Sequence, residues 1–189
     1  MEARIQKIFQ ESIDVKKACL DKNLSFLIDA VNAITKCLKN GNKILLCGNG
    51  GSAADSQHIA AEFIGRFQKE RRALPAMALT TDTSALTALG NDYTFDIVFS
   101  RQLEALGNKG DVLIGISTSG NSKNVLEAIK KAKELGVVTI AVTGNDGGKI
   151  AAAADIKLIV PSKITARIQE AHLVMFHAMC ELVEEQFSQ

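Results

Sequence analysis

From Lys43 onward the chain repeats one pattern: a short aliphatic run, a loop rich in glycine or serine, and a stretch with helical periodicity. Continuous apolar runs suit strands buried on both faces, and loops that open into helices are the crossovers of βαβ units. The pattern therefore dictates a parallel sheet with helices on both sides. Strands are expected at Ile44 to Cys47, Val112 to Ile116, Val137 to Val142 and Ile156 to Val160, with a weaker one at Ala76 to Leu79. Helical spacing fills Ala53 to about Phe67, Thr83 to Leu89, Phe95 to Leu106 and Ser122 to Leu135, and a last helix runs from about Thr165 to Phe187. Gln68 to Pro75 and Asn145 to Gly148 read as long loops.

Ahead of this unit, Ile5, Ile8, Phe9 and Ile13, then Leu24, Leu27, Ile28, Val31, Ile34 and Leu38, recur at helical spacing. They predict two amphipathic helices that stop at Asn40-Gly41. The fold class is α/β, a three-layer sandwich with a central parallel sheet plus an N-terminal helical pair. Two amphipathic helices outside a complete α/β unit need something to cover their apolar stripes, and a second copy of the chain is the commonest supplier.

The 22 Lys and Arg nearly cancel 21 Asp and Glu, which removes the broad positive field of a nucleic-acid or anionic-membrane binder. No apolar run approaches the roughly 18 residues needed to span a bilayer. The N-terminus lacks the basic and apolar regions of a signal peptide. Four cysteines without metal or CxxC spacing read as reduced structural thiols. A cytoplasmic protein follows, with neither nucleic acid nor membrane as partner.

In open parallel sheets ligands bind at the carboxyl ends of the strands. The loop Gly48-Asn49-Gly50-Gly51-Ser52 follows the first strand and opens a helix, where glycines admit a ligand to the backbone and the N–H groups and helix dipole favour an anion. Ser52 is placed to cap that helix. The lysine of GxxxxGK[ST] and the third glycine of GxGxxG are both missing, so no nucleotide cofactor is expected. The second loop, Ser117-Thr118-Ser119-Gly120-Asn121-Ser122, brings four hydroxyls to a helix start. Taken alone it is equally a helix-capping loop, but two such loops in one small sheet favour a phosphate monoester held by hydroxyl and amide donors.

His58 and Glu62, four residues apart, lie about 40° apart on one helical face. An exposed His/Glu pair is the plainer reading, although the neighbouring Ile59, Ala60, Ala61 and Phe63 point to a buried helix. On the last helix Gln169 and His177 lie about 80° apart, while His172 is about 140° from His177 and reads as structural. A lone His177 on an apolar helix would also read as a satisfied core histidine.

The runs GNGGSAADSQHIAAE at Gly48 to Glu62, GISTSGNS at Gly115 to Ser122, TGNDGG at Thr143 to Gly148 and ARIQE at Ala166 to Glu170 together resemble the phosphoheptose isomerases of the sugar-isomerase (SIS) domain superfamily. The resemblance implies a single flavodoxin-like SIS domain over residues 1–189, with 1–41 as helices used in oligomerisation and 42–189 as the α/β core. It implies a cytoplasmic homotetramer with active sites between subunits. The implied activity converts sedoheptulose 7-phosphate to D-glycero-D-manno-heptose 7-phosphate, the first step toward the activated heptoses of bacterial lipopolysaccharide or capsule.

By the same resemblance Ser52, Ser117, Thr118, Ser119 and Ser122 hold the phosphate, and Asn49, Gly50, Gly51, Arg66, Asn91 and Asp92 line the substrate. Glu62 is the base and His177 its partner acid; His58, Glu62, Gln169 and His177 form a zinc site, one ion per subunit. Two rivals share the phosphate loops. One is a non-catalytic SIS protein that senses a phosphosugar or binds the replication initiator DnaA, which has no need of Glu62 and His177 together. The other is an isomerase for a different phosphosugar, of the arabinose 5-phosphate type, which usually carries added regulatory domains.

Overall fold

The computed structural model of the protein describes residues 1–188. Its elements run α1 (Glu2–Lys39), β1 (Ile44–Gly48), α2 (Gly51–Ile64), β2 (Ala76–Ala78), α3 (Thr83–Asp92), a 3-10 turn (Phe95–Ile97) leading into α4 (Val98–Leu106), β3 (Val112–Ser117), α5 (Lys123–Glu134), β4 (Val138–Gly144), α6 (Gly148–Ala153), β5 (Ile156–Val160) and α7 (Thr165–Glu184). All five expected strands form. They pair in parallel in the order β2-β1-β3-β4-β5, the flavodoxin-like arrangement. Ile44 registers with Ala76 on one side and Val112 on the other.

Alternation along the strands divides the core. Ile44, Leu46, Val112, Ile114 and Ile116 pack with Phe63 of α2, Ile34 and Leu38 of α1, and Phe176 of α7. Leu45, Cys47, Leu113 and Ala141 face the other way, against Phe99 and Leu103 of α4, Val125 and Ile129 of α5, and Ile150 of α6. All four cysteines are buried free thiols. Among the described residues no helix is long and apolar enough to cross a membrane.

Two expectations change. The N-terminal segment is one continuous helix of 38 residues instead of a pair. No glycine or proline interrupts it before Gly41, so the weak apolar pattern between Ile13 and Leu24 costs the helix nothing that would break it. At its end Asn42 N–H reaches Cys37 O at 3.1 Å while Gly41 takes φ +79°, the left-handed stop that Asn40-Gly41 predicts. The second change is α6, which begins inside the stretch read as a loop because Gly147 and Gly148 mask a helix start.

α1 also closes one border of the sheet. Nδ2 of Asn23 donates to Ile159 O at 3.0 Å, and its Oδ1 accepts from Ile159 N at 2.7 Å, so a buried side-chain amide pairs with edge strand β5 as a neighbouring strand would.

Candidate functional site

Both loops sit at the carboxyl ends of adjacent central strands, β1 and β3. Gly50, at φ +55°, is the residue that starts α2, with no side-chain cap. Ser52, expected as the cap, is instead buried on the first turn, where its carbonyl accepts from Ser56 Oγ at 2.9 Å. At the second loop Ser122 precedes α5 but makes no capping bond; its hydroxyl meets Ser117 Oγ at 2.9 Å, and Ser117 meets Ser119 Oγ at 3.4 Å. None of these hydroxyls caps α5, although Ser119 Oγ also accepts from Asn121 N–H at 3.2 Å within the loop. Thr118 lies between them, half-buried, and its carbonyl accepts from Asn145 Nδ2 at 3.4 Å.

Gly120 holds this loop's shape. Its φ is +68°, and a Cβ there would run into the carbonyl of Gly147 on the neighbouring β4–α6 loop. A pair of asparagines links the two strand-to-helix loops: Asn49 and buried Asn124, on the first turn of α5, exchange amide hydrogen bonds, both 2.9 Å. Asn124 carries no sequence signal beyond its place two residues after Ser122.

α2 and α7 deliver the remaining groups. His58 Nε2 lies 3.0 Å from His177 Nε2, and Glu62 Oε1 lies 3.6 Å from His58 Nε2. Phe67, in the loop after α2, stacks on the His177 ring at 5.4 Å between centroids. Three of the sequence-predicted residues therefore meet across two helices. Gln169, two turns before His177 on α7, sits with its amide against Gly51, in the room a Cβ there would take. His172 is the structural histidine expected: fully buried, its Nε2 3.0 Å from Thr143 O, so Nε2 carries the proton that donates. Burial pushes its pKa down to about 4, with that hydrogen bond resisting.

Asn91 and Asp92 form the exposed end of α3, bonded to each other at 2.9 Å. Arg66 is exposed, with Glu70 at 3.9 Å. Among the described residues no hydrogen bond or ion pair links these three to the other candidates.

Asp55, one turn before His58, was not singled out in the sequence. Its Oδ2 is buried without a partner, and burial raises its pKa while the nearby His58 lowers it. Cys180 beneath Glu62 is pushed up to about 12, by burial first and by the Glu62 charge second, so it stays a neutral thiol.

Two facing imidazole nitrogens with a carboxylate beside them are ordinary zinc donors, so the residues fit such an ion in donor type. The four expected ligands are not drawn into one cluster. Among the described residues no group of three or more His, Cys, Asp or Glu is gathered closely enough to hold a metal as it stands.

The sequence profile of the SIS domain family matches residues 8–144. The phosphoheptose isomerase of Aquifex aeolicus is 59% identical over 185 residues, covering 98% of this chain and 97% of its relative. That of Campylobacter jejuni serotype O:6 is 57% identical, covering 96% and 94%. Among solved structures, the phosphoheptose isomerase GmhA of Neisseria gonorrhoeae superimposes with a TM-score of 0.92 at 53% identity, covering 97% of this chain and 98% of that one.

Proposed function

The chain belongs to the phosphoheptose isomerase family of SIS-domain proteins, and from that premise we propose how its residues interconvert sedoheptulose 7-phosphate and D-glycero-D-manno-heptose 7-phosphate in heptose biosynthesis. The carrying observation is the convergence of His58, Glu62 and His177 from two helices, on a sheet whose second loop carries serine hydroxyls not used as caps.

Ketose-aldose isomerisation takes a proton from one carbon beside a carbonyl and returns it to the next, through an enediol. Glu62 is the carboxylate that takes the proton from C1 and returns it to C2. His177 moves protons on the sugar oxygens and assists ring opening, its ring held by Phe67. Ser52, Ser117, Thr118, Ser119 and Ser122 grip the phosphate. That grip, remote from the reacting carbons, aligns them with the base. Asn49, Gly50, Gly51, Arg66, Asn91 and Asp92 line the sugar. His58, Glu62, Gln169 and His177 are the residues that would hold zinc, which would supply a Lewis acid for the carbonyl oxygen.

The working form is a homotetramer with sites between subunits, in the cytoplasm. Support comes from the half-exposed stripe Ile5, Phe9, Ile13, Leu20, Leu24 and Ile28 on α1 and Val174 on α7, which one copy leaves uncovered. The open surroundings of His58, 45% exposed in a single chain, are what a site completed by a neighbour presents. A phosphosugar sensor would keep the serine loops but has no use for the Glu62–His177 arrangement.

The test incubates the purified protein, supplied with zinc, with sedoheptulose 7-phosphate in deuterated water. NMR should show the heptose aldose appearing, with deuterium at C2 to the extent that the proton on Glu62 exchanges with solvent before its return. Binding of the sugar without product or exchange would leave a phosphosugar sensor.

A further inference from the structure

Two charged residues outside this chemistry are almost wholly buried, Arg71 with its side chain 1% exposed and Glu184 with 2%, their Nε and Oε1 3.3 Å apart. Arg71 donates from Nη2 to Glu62 O at 2.8 Å and from Nη1 to Phe63 O at 2.9 Å and Gly65 O at 2.8 Å. These are carbonyls that the end of α2 leaves without helical partners, so Arg71 caps the helix at the residue that presents the base. Glu184 accepts the backbone N–H groups of Phe67 at 2.8 Å and of Gln68 and Lys69 at 2.7 Å each. It stands seven residues after His177, about 20° round from it on the same face of α7. The loop it grips carries Phe67, whose ring packs on His177.

Burial raises the Glu184 carboxyl, but the three N–H donors and the Arg71 charge more than offset this and hold it ionised. Stability alone does not call for such a pair, because well-packed apolar residues of similar volume commonly serve a core as well or better. What an apolar pair would not supply is directionality: six hydrogen bonds aimed at the end of α2, its following loop and, through Glu184, at α7.

We propose that Arg71 and Glu184 are positioning residues for the isomerisation, fixing the Glu62 carboxylate and the His177 ring relative to each other by tying the end of α2 to α7. Neither touches the substrate. The inference rests on the isomerase reading above.

Glu184→Gln and Arg71→Lys test it. The first removes the shared carboxylate, and the second keeps the charge but loses the fork. With sedoheptulose 7-phosphate as substrate, kcat should fall about 10- to 100-fold in each, the scale of a displacement of about an ångström. KM should change less than about threefold, since the phosphate loops lie on β1 and β3. Only three histidines are present, so the imidazole nitrogen resonances of His177 are assignable, and they should shift in both variants. Wild-type kcat with only a lowered melting temperature would overturn the proposal, as would failure of both variants to fold, which makes the pair a stability element. If wild-type protein turns over no sugar, the isomerase reading fails by itself. The resonances then decide the positioning: unmoved His177 signals would overturn it.

Discussion

His58 Nε2 and His177 Nε2 meet at 3.0 Å, although 119 residues separate them in the chain. A hydrogen bond between two imidazole nitrogens needs one of them protonated and the other bare, so the pair shares a single bridging proton, which a cation bound between the rings would release to solvent. Glu62, 3.6 Å from the same His58 nitrogen, sets a carboxylate beside that shared proton.

Glu62→Gln keeps the size and place of the side chain and removes its basicity. Turnover should fall about 10²- to 10⁴-fold while binding of sedoheptulose 7-phosphate stays within a few-fold. Steady-state kinetics with calorimetric titration of the sugar check this. Wild-type-like kcat would remove Glu62 from the role of base.

Two glycine-to-alanine changes should separate chemistry from folding. At Gly51 the new methyl meets the amide tip of Gln169, a flexible side chain that can swing away, so stability should hold while kcat drops. At Gly120 the methyl meets the backbone of Gly147 at a positive φ, and nothing there gives easily. A loss of more than about 1 kcal/mol with a raised KM is expected. Urea unfolding and kinetics on both variants decide it.

His172 makes the fold acid-sensitive in a defined window. Folded, it titrates near 4; unfolded, near 6.5, so below the upper value the unfolded chain binds a proton that the native one refuses. The stability held by the neutral ring is complete above about pH 6.5 and is lost progressively toward pH 4, by about 3 kcal/mol in all. His172→Gln, which retains a donor for Thr143 O, should flatten the urea midpoint between pH 6.5 and 4. An unchanged slope would contradict the assignment.

Leu24→Asp with Ile28→Asp places charges on α1 side chains that are 54% and 51% exposed in one chain. Sedimentation velocity should show the proposed tetramer replaced by smaller species of unchanged helical content, with activity falling alongside. A persistent tetramer would put its interface elsewhere.

The strands, the two loops that lead from β1 and β3 into helices, and the His58–Glu62 pair were legible because each is local: an apolar run before glycine, or two residues one turn apart. The meeting of His58 with His177 could be expected only through the family resemblance, since no local pattern shows how α2 packs on α7. Arg71 and Glu184 were invisible for a different reason. In sequence they are charges among charges, in KERRAL and ELVEEQ, and only the fold turns these two inward. Ser52 was read as a cap from its place after the glycines, but Gly50 starts the helix two residues sooner than that reading allowed. The helical pair at the N-terminus was over-read from a thin stretch in an apolar stripe; without a breaker, backbone hydrogen bonding carries the helix across.

The Asn23 amide bonded to β5 has a consequence for how copies of this protein can meet. A parallel sheet has two borders that could recruit a stranger's backbone and begin a fibre. Here one is occupied by a side chain posing as a sixth strand, and the other ends in β2, only three residues long. Strand-to-strand pairing between copies is thereby opposed at both borders, even when the chain is crowded.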